Sequence, residues 1–257
     1  MLVALYVNTF EIWGLLVAAT GARNAALVPF AVLGVAVTVA IMLGWRIRRS
    51  GTAGIDLGAL AGALALIALG LLITDPAYPA KRIHVPQYLL LSLVLRRALS
   101  DHVGGWALTV ATALLTALFG IHDELLQGLH PHRTYGLRDI LVNGVSAAAG
   151  AALARGIGLW PGPDRPFAVD AKLVTAGVAL ALAVAFPMVT LVAYRNAMPP
   201  PWLGVPVLAV SVLLLIGWGI PRPADPASRR LAAVFAWTAL PLALYPVIPH
   251  VTPLVFN

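Results

Sequence analysis

The sequence has no cysteine among its 257 residues, which excludes disulfides, thiolate metal sites and cysteine nucleophiles. Charged side chains are also scarce: they make up 11% of the chain, against about 25% in a typical soluble domain. Apolar residues account for 60%. So few polar side chains cannot cover the surface of a water-soluble globule, and the composition predicts an integral membrane protein.

What the sequence has in place of charge is a series of long apolar runs, separated by loops rich in proline, glycine or arginine. An α-helix of about 20 apolar residues spans the hydrocarbon core of a bilayer. Nine candidate spans lie near residues 2–20, 25–45, 55–74, 83–99, 104–122, 139–156, 171–193, 202–220 and 230–248. We therefore predict an all-α, polytopic transmembrane helix bundle of about nine spans.

The basic residues predict how the chain is oriented in the membrane. The net charge is +7, and the Lys and Arg residues sit in short clusters between the apolar runs. Alternate sides of the predicted bundle hold 11 and 6 of them, and cytoplasmic loops are the ones enriched in Lys and Arg. This count predicts a cytoplasmic N-terminus and an extracytoplasmic C-terminus, with the lipid bilayer rather than nucleic acid as the partner.

Three neighbouring predicted spans each carry a pair of polar residues four positions apart, a spacing that places both side chains on one helix face. The pairs are His84 with Tyr88, Asp123 with Gln127, and Asp139 with Asn143. Polar groups at membrane depth are costly and usually face the protein interior or a water-filled cavity. We therefore expect the three pairs to form one polar site at the predicted extracytoplasmic side.

Several of the polar residues in this region also have a purely structural interpretation. Asp139 is placed to cap a helix N-terminus, and His84 with Tyr88 could form part of an interfacial belt. Arg133 and Arg138 could anchor the protein at the membrane interface. The recurrence of polar pairs on three consecutive spans favours the functional interpretation.

These residues stand in an order that resembles the VanZ-like family of bacterial integral membrane proteins. The resemblance covers about residues 55–156 and rests on Lys81-x-x-His84-x-x-x-Tyr88, Asp123-Glu124-x-x-Gln127, Pro131-x-Arg133, and Asp139-x-x-x-Asn143 through Gly150. Gln87 and Ser146 stand where the family often has an acidic residue and a glycine. The resemblance divides the chain into N-terminal helices (1–54), a VanZ-like core (55–156) and C-terminal helices (157–257).

The resemblance implies a multi-pass protein of the bacterial cell membrane with a role in the cell envelope. The family takes its name from a protein associated with teicoplanin resistance, which points to antibiotic resistance or natural-product tailoring.

The side chains in the motifs suit an acid–base site that holds an anion. An imidazole such as that of His84 can titrate near neutral pH, and a carboxylate at the membrane boundary can exchange protons. The planar guanidinium of Arg133 matches a phosphate or carboxylate group. We predict catalytic roles for His84, Asp123, Glu124 and Asp139, and substrate-binding roles for Tyr88, Gln127, Arg133 and Asn143.

The residues leave three functions open. The first acts on a lipophilic anionic or lipid-linked molecule by proton transfer, and the second binds or transports such a molecule without changing it. The third is a metal-dependent intramembrane enzyme, for which the candidate ligands are His84, His122, Asp123, His130 and His132. A helical two-histidine zinc motif is absent from the sequence, so we expect neither a metal nor another cofactor.

Overall fold

The computed structural model describes residues 9–49, 54–131, 133–163, 171–218 and 226–257. These residues form α-helices, short 3-10 helices and connecting loops. They contain no β-strand, and their one β-bridge pairs Ala197 with Phe256. The predicted all-α class is confirmed.

The α-helices of the described residues are α1 (Thr9–Thr20), α2 (Ala22–Ala25), α3 (Val28–Arg49), α4 (Leu57–Ile73), α5 (His84–Leu99), α6 (Gly105–Gly128), α7 (Leu137–Gly156), α8 (Ala171–Thr190), α9 (Val205–Trp218), α10 (Ala227–Ala239) and α11 (Ile248–Val251). The 3-10 helices are Pro79–Ile83, Leu191–Tyr194, Pro201–Gly204 and Leu240–Leu244.

Four helical stretches of the described residues are long and apolar enough to cross a membrane: Ala22–Ile47, Gly105–Gly128, Leu137–Gly156 and Ala171–Tyr194. Two shorter apolar helices cover Leu57–Ile73 and Pro201–Gly217. These findings give the chain the character of a membrane protein. The nine spans remain a prediction.

The predicted span near residues 230–248 is not a continuous α-helix. The apolar run near residues 230–248 contains α10, which ends at Ala239, and the 3-10 helix Leu240–Leu244 follows it. Pro241 lies in the first turn of the 3-10 helix. Because proline has no N–H and its ring clashes with the preceding turn, it interrupts an α-helix that hydropathy alone would continue.

The exposed surfaces of the helices are strongly apolar. Leu64 and Leu72 of α4 are 65% and 79% exposed, and Leu182 of α8 and Ile216 of α9 are 67% and 74% exposed. Large apolar surface of this kind is unfavourable in contact with water but favourable in contact with lipid tails. The apolar helix faces therefore agree with placement in a bilayer.

The helices group into two compact units. Unit 1 comprises residues 1–120 and 138–165, and unit 2 comprises residues 121–137 and 166–257. Helix α6 contributes its residues up to Gly120 to unit 1 and its last turns to unit 2.

Unit 1 has an apolar core formed by α3, α4, α5 and α7, in which small side chains such as Ala36, Ala63 and Ala149 are buried. A glycine allows α5 and α7 to approach closely. A Cβ atom on Gly150 would lie 2.6 Å from the carbonyl oxygen of Leu89 and 2.7 Å from Cβ of Ser92. The Ser92 hydroxyl donates a hydrogen bond to the carbonyl oxygen of Ala147 at 2.9 Å. This bond also holds α5 against α7.

Unit 2 contains α8, α9 and α10, which pack against one another. Gly204 permits a close approach here, because a Cβ atom at this position would lie 2.1 Å from the carbonyl oxygen of Ala243. The loop after α6 belongs to this unit, together with the segment that ends at Asn257. Unit 2 thus joins the end of α6 to helices that follow much later in the chain.

Candidate functional site

All eight residues predicted for the site are buried, with no side chain more than 8% exposed. They divide between the two units. Unit 1 holds His84, Tyr88, Asp139 and Asn143, and unit 2 holds Asp123, Glu124, Gln127 and Arg133.

In unit 1, the 3-10 helix Pro79–Ile83 leads directly into α5, which begins at His84. The rings of His84 and Tyr88 are stacked, with centroids 6.2 Å apart and an interplanar angle of 12°. This is the arrangement that a spacing of four predicts for one helix face.

Asp139 lies in the first turn of α7 and forms an ion pair that the site prediction did not include. Its Oδ2 atom is 2.5 Å from Nζ of Lys81, and the Asp139 side chain is 4% exposed. The helix N-terminus also favours a negative charge at this position. Lys81 was visible in the family pattern, but a separation of 58 positions gave no local signal that it would pair with Asp139.

Asn143 follows Asp139 by one turn but has a different partner. Its Nδ2 atom donates a hydrogen bond to the carbonyl oxygen of Gly120 at 3.4 Å. A Cβ atom on Gly120 would lie 2.8 Å from Cβ of Asn143, so a larger residue would force α6 and α7 apart at this point. The pair Asp139 and Asn143 therefore shares a helix face but not a hydrogen bond between the two side chains.

In unit 2, a chain of hydrogen bonds joins the end of α6 to the loop that follows it. Nε2 of Gln127 donates to Oδ2 of Asp123 at 2.9 Å, and the Arg133 guanidinium donates to Oε1 of Gln127. We call Asp123, Gln127 and Arg133 the α6 relay. Both ends of the Gln127 amide are used, which fixes its orientation between a carboxylate and a guanidinium.

The buried charges of unit 2 lie on α6 and in the loop that follows it. Among the described residues of unit 2, the buried charged side chains are Asp123, Glu124 and Arg133. Burying an ionised carboxylate is costly, so buried carboxylates such as these are suited to exchanging protons.

A second polar cluster of unit 2 was not predicted as a site. Nε2 of His122 lies 2.7 Å from the carbonyl oxygen of Thr238, and its Nδ1 lies 3.2 Å from the hydroxyl oxygen of Tyr245. Because a carbonyl oxygen only accepts, Nε2 carries a hydrogen. Both ring nitrogens of His122 are thus engaged, which argues against the metal-ligand role considered for it. His132 of the same proposed ligand set lies outside the described residues.

The loop after α6 is held by Tyr135, a residue that no sequence motif singled out. The Tyr135 hydroxyl donates to the carbonyl oxygen of Met188 at 2.7 Å, and its ring packs against Phe256 at a centroid distance of 5.4 Å. Burial raises the pKa of the Tyr135 phenol, and the negative charge of Glu124 raises it further. Tyr135 therefore acts as a neutral hydrogen-bond donor that positions the loop.

Comparison of the chain with protein-family models, curated proteins and solved structures finds no match. The structure defines an all-helical protein with apolar helices of membrane-spanning length and buried polar clusters.

Proposed function

We propose that this chain is a VanZ-like membrane protein of the bacterial cell envelope that acts on a lipophilic anionic or lipid-linked molecule. In this proposal Arg133 binds the anionic headgroup, and Asp123 or Glu124 exchanges a proton with it. The charge count of the loops predicts that this site faces the extracytoplasmic side. The observation that carries the proposal is the buried α6 relay.

The position of Arg133 supports the headgroup role. Its side chain is 8% exposed, and its contact with Gln127 orients the guanidinium at the end of a helix long enough to cross a membrane. A guanidinium presents a rigid fork of donors to a phosphate or carboxylate group. A molecule with an anionic head and an apolar tail would match both this group and the apolar helix surfaces.

The two carboxylates support proton exchange. Asp123 and Glu124 are 1% and 0% exposed, and their neighbouring positions on α6 direct them to different faces of the helix. Asp123 is the carboxylate that Gln127 holds in place. We therefore assign the proton-transfer role first to Asp123, and treat His84 and Asp139 as the other predicted acid–base groups.

A structural role is the main competing explanation, because a cation after the C-terminus of α6 would also stabilise the helix dipole. The two explanations differ in what a conservative substitution does. A role limited to stability predicts equal effects on folding and binding, whereas a headgroup site predicts loss of binding in a protein that remains folded.

The test uses the full chain purified in detergent, with a radiolabelled polyprenyl phosphate as the ligand and phosphatidylcholine as the neutral comparison. Arg133→Gln should weaken polyprenyl phosphate binding roughly tenfold or more, because it removes charge-assisted hydrogen bonds. Arg133→Lys should retain part of the affinity. Arg138→Gln is the matched control, since this arginine, five positions later in the sequence, is 49% exposed in its ion pair with Asp75.

The role of Asp123 is tested by Asp123→Asn, which keeps an acceptor for Gln127 but removes the titratable group. It should bind the ligand with little change while abolishing any conversion seen by chromatography, and it should remove any teicoplanin tolerance that the wild-type protein confers on a host. Binding without any product in the wild type would favour a non-catalytic carrier. Unchanged binding by folded Arg133→Gln would reject the headgroup site.

A further inference from the structure

A second cluster of charged and aromatic side chains lies in unit 1, where α4 and α6 begin and α7 ends. The Arg155 guanidinium stacks on Trp106, with Cζ 3.8 Å from the ring centroid. Its Nε atom donates to Oδ2 of Asp56 at 3.0 Å. We call Asp56, Trp106 and Arg155 the Arg155 cluster.

The hydrogen bonds of Arg155 leave part of its guanidinium available. Within the described residues, its Nη1 and Nη2 atoms form no hydrogen bond, since the contacts of Arg155 are the Asp56 bond and the Trp106 ring. The side chain is 23% exposed. Two donor nitrogens can therefore face a ligand while Nε holds the guanidinium in place.

A buried arginine adds positive charge to this end of unit 1. Arg96 is 2% exposed and interacts electrostatically with Arg155. Its hydrogen bonds go to neutral groups, namely the carbonyl oxygen of Leu159 at 2.7 Å and the Thr109 hydroxyl at 3.3 Å. Among the described residues, Asp56 is the carboxylate that pairs with either guanidinium. The surplus of positive charge favours an anion.

The surroundings of the cluster indicate that this anion belongs to a lipid. Ile55 and Leu57, on either side of Asp56, are 50% and 74% exposed, and Trp106 is 63% exposed. Tryptophan is enriched where a membrane meets water, and basic pockets at helix ends bind lipid headgroups. A free phosphate would use the arginine but would gain nothing from the exposed apolar side chains.

We propose that the Arg155 cluster binds the phosphodiester of an anionic phospholipid, with Arg155 on the phosphate and the exposed side chains along the acyl chains. The loop charges predict that this end of unit 1 faces the cytoplasmic leaflet, where anionic lipids attract basic residues. This site is separate from the α6 relay and from the substrate proposed for it.

The proposal is tested by native mass spectrometry of the full chain in detergent, titrated with dioleoyl phosphatidylglycerol in competition with dioleoyl phosphatidylcholine. Arg155→Gln should lower phosphatidylglycerol binding roughly tenfold, because it removes the charged donors. Arg97→Gln removes the same charge from a side chain that is 53% exposed and paired with Asp101. This control should change binding by no more than about twofold.

Asp56→Asn separates lipid binding from a structural role of Arg155. Asparagine still caps α4 and the Trp106 ring still orients the guanidinium, but a carboxylate no longer competes with the phosphate for it. Phosphatidylglycerol should therefore bind about threefold more tightly or better to Asp56→Asn than to the wild type. This arm is informative even if Arg155→Gln fails to fold.

Two results would overturn the proposal. The first is equal weakening by Arg155→Gln and Arg97→Gln, which would show that binding follows net charge, or no gain with Asp56→Asn, which would show that Asp56 and the lipid do not compete for the Arg155 guanidinium. The second is displacement of phosphatidylglycerol by an equal concentration of inorganic phosphate, which would assign the cluster to a soluble anion.

Discussion

Asn257 closes the loop that carries Arg133, because its backbone N–H donates to the carbonyl oxygen of Gly128 at 2.7 Å. Its own carbonyl oxygen accepts from the N–H of Tyr135 at 2.9 Å. One residue thus bridges the beginning and the end of the loop. The neighbouring Phe256 is fully buried and packs against Gly128 and Tyr135. The position of Arg133 therefore depends on residues more than a hundred positions later in the sequence.

Gly128→Ala tests this closure. A Cβ atom at position 128 would lie 2.7 Å from Cε2 and 2.9 Å from Cζ of the Phe256 ring, so the ring or the helix end must move. We expect a loss of about 1–3 kcal/mol in stability and weaker polyprenyl phosphate binding. Phe256→Leu in the same protein should restore part of both, because it removes the ring atoms. Thermal unfolding in detergent measures the first effect, and no rescue by Phe256→Leu would argue against the clash.

Helix α7 offers a matched pair of glycines for testing the contact with α5. Gly150→Ala would place Cβ 2.6 Å from a backbone oxygen of Leu89, which cannot rotate away, and should cost about 1–3 kcal/mol. Gly144 has no atom within 4 Å of its Cβ position, so Gly144→Ala should be neutral or gain up to about 1 kcal/mol. Chemical unfolding in detergent distinguishes the two variants. Equal stability would show that α5 and α7 do not approach at Gly150.

The ion pair of Lys81 and Asp139 gives a prediction about coupling. Asp139→Asn leaves a Lys81 ammonium, 23% exposed, without its carboxylate partner. Adding Lys81→Met removes that charge but keeps the aliphatic stem, so the double variant should be more stable than Asp139→Asn alone. We expect a coupling of about 1–3 kcal/mol in a double-mutant cycle of unfolding. Additive effects would mean that the pair does not contribute to stability.

The parts of the structure that the sequence predicts correctly are local. Spacing alone places Asp123 with Gln127 and His84 with Tyr88, because four residues complete about one helical turn. Apolar runs also locate helices such as Gly105–Gly128 and Leu137–Gly156, since burying backbone polar groups in hydrocarbon requires helical hydrogen bonds.

The parts that the sequence does not reveal depend on tertiary structure. The contact of Asn257 with Gly128 has no periodic signal, and neither does the contact of His122 with Tyr245. The 3-10 helix after Ala239 was missed for another reason: hydropathy counts apolar residues, whereas Pro241 acts on backbone geometry. Contacts of this kind decide which polar residues of unit 2 meet one another.

Titration of the Asp56 carboxyl should make the stability of the protein depend on pH. Asp56 caps α4 by accepting a hydrogen bond from the Ala59 N–H at 3.0 Å, and this bond, with help from Arg155, holds the pKa of the carboxyl below its usual range. A carboxyl with a lowered folded-state pKa adds stability above its unfolded pKa and loses it as pH falls through the folded value. The melting temperature should therefore drop as pH is lowered from about 5 to 3. Asp56→Asn caps the helix without titrating, so its melting temperature should fall less over the same range. Parallel curves for the two proteins would exclude Asp56 as a source of the acid sensitivity.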